Sequence, residues 1–248
     1  MISQITLNQL RDMHLTSLAA DIRERSESKG FTELTFDQQI EVLIDREWHR
    51  RKDNTACVHI REASFCYPSA SALEIDYSEE RGLEKRKINE LAECGYLLHG
   101  RNIIIMGATG VGKTYLACAL GTAACRNRYT CKYIRMPNLL DELALAREDG
   151  SFSKTIQRLS KVSLLILDEW LLNRMSSNNI TDIFELFEYR YTMHKSTIFC
   201  TQIDVSEWMA ALGNGLISES LLDRIIHNSE SMLIAGDSMR KRLASVEN

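Results

Sequence analysis

The sequence predicts an α/β fold, a parallel five-stranded sheet with helices on both faces, preceded by a small α-helical N-terminal domain. Three observations carry this expectation. From Asn102 onward, short apolar runs alternate with helical segments, the pattern of a parallel sheet covered by helices. The first run opens into a glycine-rich loop, Gly107 to Thr114, and a later one ends in an acidic pair, Asp168-Glu169. Before residue 70 the apolar residues recur instead with a helical period.

Taken in order, Leu7, Leu10, Leu15, Leu18 and Ile22 cluster on one side of a 3.6-residue repeat. Thr35 and Gln38 match a capping box, and Ile40, Leu43, Ile44 and Trp48 form the expected apolar stripe of a following helix that runs into Arg50-Arg51-Lys52. Periodicity fades between Asn54 and Glu80, where Pro68 and several serines interrupt it, so the linker is placed there. This divides the chain into a helical module, residues 1–70, and an α/β domain, residues 71–248. The five strands are expected at Ile103 to Met106, Lys132 to Arg135, Ser163 to Leu167, Thr197 to Cys200 and Met232 to Ile234. Leu139, Leu140 and Leu143, then Ile183, Phe184 and Phe187, then Leu221, Leu222 and Ile225 mark intervening helices.

Bulk properties narrow the class. A hydrophobic content of 44% with 26% charged residues is ordinary for a soluble globular chain, and a formal charge of -4 exerts no global pull toward nucleic acid or acidic membranes. The seven cysteines are scattered, with no C-x-x-C pair and an odd total, which argues against a zinc site or a disulfide framework and fits a reducing compartment. The start of the chain lacks a signal-peptide pattern, and no apolar run approaches the roughly 20 residues of a membrane span. A cytoplasmic protein is expected.

Gly107-Ala108-Thr109-Gly110-Val111-Gly112-Lys113-Thr114 satisfies G-x-x-x-x-G-K-[ST] between an apolar run and a helical stretch beginning at Tyr115. Such glycines let backbone N–H groups curl around phosphates, the helix N-terminus adds its positive end, Lys113 reaches the β- and γ-phosphates of ATP, and Thr114 ligates Mg²⁺. Residues 107–115 are therefore the expected nucleotide-binding set. Leu164 to Leu167 then delivers Asp168 and Glu169 to the edge of the sheet, Asp168 to hold Mg²⁺ and Glu169 to polarise the attacking water.

The order of these motifs, with Thr201-Gln202, Leu222-Asp223-Arg224 and Gly236-Asp237-Ser238-Met239-Arg240-Lys241, resembles the IstB-like ATPases, AAA+ helpers of insertion-sequence transposition related to DnaC-like helicase loaders. Leu10-Arg11-Asp12-Met13, Leu18-Ala19 and Asp45-Arg46-Glu47-Trp48 are similar to that family's helical N-terminal domain, so the likeness spans nearly the whole chain. It implies an ATP-dependent homo-oligomer on double-stranded DNA, bound largely without regard to sequence, that recruits or stimulates the transposase of the same element. It also implies further roles. Gln202 corresponds to a polar sensor, though a solvated amide at a strand end fits the sequence as well. Arg224 corresponds to an arginine finger acting across a subunit boundary, against an ion pair with Asp223 or a neighbouring helix. Arg240 corresponds to a second sensor, against a solvated basic end with Lys241 and Arg242.

The chain departs from the family in placing Trp170-Leu171-Leu172 where a glycine-containing turn commonly follows the acidic pair, which puts the shape of that loop in question. Only eight residues follow Arg240, so no helical lid over the nucleotide is expected, as in the lidless IstB and DnaC groups. Basic residues at Arg46, Arg50, Arg51, Lys52 and Arg61, and at Arg147, Lys154, Arg158 and Lys161, suit phosphate contacts or solvated helix faces equally. A helicase loader is the alternative reading. A small-molecule kinase explains the loop but neither Leu222-Asp223-Arg224 nor the N-terminal module.

Overall fold

The structure, a computed structural model, describes residues 2–213 and 215–239. The chain divides into two compact units, Met1–Thr55 and Ala56–Asn248. Four helices come first: α1 (Gln4–Asp12), α2 (Thr16–Arg25), α3 (Lys29–Thr32) and α4 (Phe36–Ala63). The single helical period expected across Leu7 to Ile22 is broken at His14, whose φ of 59° is left-handed. Leu18, Phe31 and Leu43 form the small core of this unit, with Leu10, Leu15, Ile22, Leu34 and Val42 against it.

The predicted capping box is present at the start of α4. Gln38 N–H donates to Thr35 Oγ1 at 3.4 Å, and Thr35 N–H donates to Gln38 Oε1 at 3.0 Å. The expected stripe along this helix is only partly a core face: Leu43 is buried, while Ile40, Ile44 and Trp48 are 44%, 55% and 48% exposed. Glu47, on the same helix, is buried and ion-paired to Arg50 and Arg51, the latter at 2.7 Å. Residues 54–63, expected in the linker, continue α4; the irregular path begins at Ser64.

In the second unit, α5 (Lys85–Ala92) and α6 (Gly95–Leu98) precede an alternation of β1 (Asn102–Gly107), α7 (Lys113–Arg126), β2 (Cys131–Arg135), α8 (Met136–Glu148), α9 (Phe152–Lys161), β3 (Leu164–Trp170), α10 (Ser177–Thr192), β4 (Ser196–Thr201), α11 (Trp208–Leu212), α12 (Leu216–Ile226) and β5 (Ser229–Ile234). All five predicted strands exist. They pair in parallel in the order β2-β3-β4-β1-β5. The central three are covered on both faces, which is why Ile103-Ile104-Ile105 and Leu164 to Leu167 read as unbroken apolar runs rather than alternating ones. One face packs with α7 around Leu116, Leu120 and Ile166; the other packs with α8, α9, α10 and α12 around Leu139, Leu159, Leu186 and Leu221.

Gly121 lets α7 lie close to the sheet, since a Cβ there would come within 2.6 Å of the Phe65 ring and 2.8 Å of Ile166 Cδ1. That approach fixes where the N-terminus of α7 meets the ends of the strands. In a parallel sheet of this kind, ligands bind outside the carboxyl ends of the strands. β1, β3 and β4 all end at the start of α7.

Candidate active site

The glycine-rich loop leaves β1 at Gly107, whose φ of 151° is poorly tolerated by any side chain and whose Cβ would strike the Ile234 carbonyl. The loop closes at the first turn of α7. There the positive end of the helix dipole favours an anion. Lys113 is buried, and its ammonium group donates to the carbonyls of Gly107 and Ala108, both at 2.7 Å. The lysine is thus folded back over the hollow of its own loop, where phosphate oxygens are its natural partners.

Asp168 lies in register with Arg135 across the β2-β3 pair, and its carboxylate is organised on both oxygens. Oδ2 accepts hydrogen bonds from Thr114 Oγ1 and from Tyr133 OH, each at 2.8 Å, and Oδ1 accepts from the Glu169 N–H at 2.9 Å. Burial, and then the Asp168 charge, push the Tyr133 phenol well above the ordinary tyrosine range, so it is a hydrogen-bond donor at any working pH. A threonine hydroxyl and a carboxylate brought together beside a phosphate loop are hard oxygen donors of the kind Mg²⁺ takes with one or two protein ligands, so the residues fit that ion.

Glu169 has a left-handed backbone, φ 60°, and β3 is irregular between Leu167 and Trp170. Its carboxylate pairs with the Arg135 guanidinium at 2.6 Å, a contact that raises the arginine's pKa. The turn without glycine has a physical account. Leu171 is also left-handed, φ 56°, a conformation that costs an ordinary residue about 1–2 kcal/mol. Its side chain is buried beside the fully buried Trp170, which meets Phe199 edge-on at 4.9 Å between centroids and Trp208 at 5.7 Å. Burying a leucine is worth about 2–5 kcal/mol by truncation, so packing outweighs the strain.

Gln202 follows β4, and its Oε1 accepts from Thr109 Oγ1 at 2.7 Å, which ties the loop after the strand to the glycine-rich loop. A cavity of about 420 Å³ is lined by Thr109, Gly110, Lys113, Thr114, Asp168, Glu169 and Gln202 together with Tyr133 and Arg135. A second of about 430 Å³ shares Gly110, Lys113 and Thr114 and is walled by Glu74, Ile75, Asp76, Arg81, Leu83, Tyr115 and Met239. Tyr115 donates to Glu74 Oε2 at 2.7 Å, and the buried Arg81 donates to the Val111 carbonyl at 2.5 Å. One cavity on the acidic side of the loop and one on the other give room for the two ends of a nucleoside triphosphate.

The structure therefore brings Lys113, Thr114, Asp168, Glu169 and Gln202 together. Arg224 lines neither cavity: it pairs with Glu188 of α10 at 2.9 Å, donates to the Ser220 carbonyl at 3.1 Å, and lies 5.3 Å from the centre of the Phe184 ring. Arg240 lies outside the described residues. Sequence reading missed Tyr133, Arg135 and Arg81. The first two are two residues apart on a strand ending beside β3, so strand periodicity plus the sheet order would have placed them at the acidic pair.

Comparison with known proteins agrees with this geometry. The family model for IstB-like ATP binding proteins matches residues 8–246. A Sinorhizobium fredii (strain NBRC 101917 / NGR234) relative named as insertion sequence ATP-binding protein y4pL is 34% identical over 97% of this chain and 98% of its own. One from Pseudomonas fluorescens, named for the ATP-binding protein of insertion sequence IS1162, is 37% identical over 83% of this chain and 89% of its own. Among solved structures, the DnaC helicase loader superposes with a TM-score of 0.59 at 20% identity, covering 68% of this chain and 98% of that one. AMPPCP-bound DnaA from Aquifex aeolicus gives 0.59 at 20% identity, covering 73% and 54%. At such identities the last two speak for the fold alone. On its sequence, sheet order and loop geometry, the chain belongs to the IstB-like ATP-binding protein family and is a P-loop ATPase.

Proposed function

We propose that the chain hydrolyses ATP with Mg²⁺ as an oligomer on double-stranded DNA and, in its ATP state, recruits or stimulates the transposase of the same element. The observation that carries the chemistry is the contact of Thr114 and Asp168 beside Lys113, with Glu169 one residue on. Lys113 and the α7 N-terminus bind the β- and γ-phosphates. Thr114 and Asp168 hold Mg²⁺, which supplies charge neutralisation on the same phosphates. Glu169, once released from Arg135, accepts the proton of a water that Gln202 helps to orient. That water's oxygen bonds to the γ-phosphorus, the bond to the β–γ bridging oxygen breaks, and ADP and inorganic phosphate leave. Arg224 of one subunit exchanges its Glu188 partner for the γ-phosphate of a neighbour.

Family membership supports the transposition setting, and the likeness to DnaC is one of fold. The helical first unit is assigned to partner or DNA binding. The test measures ATPase activity and particle size with and without duplex DNA, in ATP and in ADP. Larger particles and faster turnover with DNA and ATP are expected; equal size and rate in all conditions would leave a self-sufficient ATPase.

A further inference from the structure

We infer that Tyr133 is a positioning residue that holds the Asp168 carboxylate in its metal-binding orientation. The inference rests on the Mg²⁺-dependent reading of the site. The χ2 torsion of an aspartate is broad and weakly restrained, so the direction of its oxygens is set by their hydrogen-bond partners. Oδ1 is held by the Glu169 N–H and Oδ2 by Thr114 and Tyr133. Thr114 can turn a lone pair to a cation while its proton stays on Oδ2, but its direction is then shared between the two. Tyr133 is the donor to Oδ2 that is not itself assigned to the metal, so its hydrogen bond bears on the carboxylate alone. Its place on β2, the strand hydrogen-bonded to β3, fixes the phenol relative to the acid through the sheet itself rather than through a loop. The partly buried ring also lines the acidic-side cavity, and its strand lies across β3 from β4 and β1, the strand that leads into the glycine-rich loop.

The experiment uses the full chain with Tyr133→Phe, which removes one oxygen and keeps the ring. Binding of AMPPCP is titrated with Mg²⁺, and separately measured in EDTA, with Mn²⁺ binding followed by electron paramagnetic resonance as a readout that needs no turnover. The half-saturating metal concentration should rise about 10- to 100-fold, the usual effect of losing an outer partner of a metal ligand, with AMPPCP affinity in EDTA unchanged. In an Asp168→Asn background the same substitution should add little, since the two act on one ligand. An unchanged metal half-saturation, an equal loss of affinity in EDTA, or full additivity with Asp168→Asn would each overturn the inference. Wild-type AMPPCP binding that ignores Mg²⁺ would overturn it along with the metal assignment. Wild-type metal-dependent binding without any ATP turnover would strike only the hydrolytic reading and leave the Tyr133 titration decisive.

Discussion

Lys113 spends its ammonium group on two carbonyls of its own loop, so its removal has two effects, loss of the phosphate partner and loss of a brace across the loop. Lys113→Ala is expected to abolish measurable ATP binding, read by calorimetry; retained affinity would remove the lysine from the site. Glu169→Gln keeps the shape and loses the base, so nucleotide should still bind while steady-state turnover falls to background. Leu171 offers a stability test of the unusual turn. Leu171→Gly relieves the left-handed strain but empties a buried position, and the lost packing should outweigh the relief, with a net loss of about 1–3 kcal/mol in urea unfolding. A stabilised variant would mean that strain dominates there. The glycine-rich loop and the acidic pair were legible in the sequence because each is a contiguous string with a fixed chemical pattern. Tyr133 and Arg135 were not, because Cys-Lys-Tyr-Ile-Arg acquires meaning only from the strand hydrogen-bonded to it.

At the scale of elements, the sheet was readable because strands buried on both faces are continuous apolar runs, and all five runs became strands. The N-terminal helices were less so. Ile40, Leu43, Ile44 and Trp48 recur with helical spacing, yet only Leu43 faces the small core, since period specifies the helix and not which side its neighbours occupy. The end of β3 was also extended past its expected limit, with Asp168, Glu169 and Trp170 in the strand, because the aromatic anchor beyond the acids keeps the chain on the sheet. The packing of α7 gives a prediction of its own. Gly121→Ala forces a methyl against Phe65 and Ile166 and should destabilise the second unit by about 1–3 kcal/mol, with weaker nucleotide binding because the helix start shifts. Thermal unfolding with and without AMPPCP checks both parts; an unshifted Tm would show that Phe65 gives way freely.

For the whole molecule, the proposed role of Arg224 would tie the chemistry to assembly. If the residue acts on a neighbour's nucleotide, ATPase activity per subunit rises with protein concentration, and Arg224→Ala binds ATP but turns it over on the order of 10³- to 10⁵-fold more slowly. Mixing Arg224→Ala with Glu169→Gln on DNA should partly restore activity, because the second variant lends its arginine to the intact base of the first. Absence of rescue in demonstrably mixed oligomers would refute a finger in trans. The Glu188 contact adds a threshold: the arginine must leave a carboxylate on its own subunit before it can serve another. The ion pairs of the first unit lead to a different reckoning. Arg46 and Arg50 lie 3.6 and 3.7 Å from Asp21, and Arg51 is bonded to Glu47 and, at 2.9 Å, to the His14 carbonyl. DNA binding draws much of its free energy from the cations that phosphates shed, at a slope of about 0.9 in log K against log salt for each phosphate neutralised. An arginine that deserts its carboxylate for a phosphate frees one counterion from the DNA and leaves behind an acid that collects another. Such residues are electrostatically silent in a salt titration, however basic their stretch of sequence looks, and Arg50→Gln should lower the melting temperature of the helical module while leaving the salt slope of DNA binding where it was.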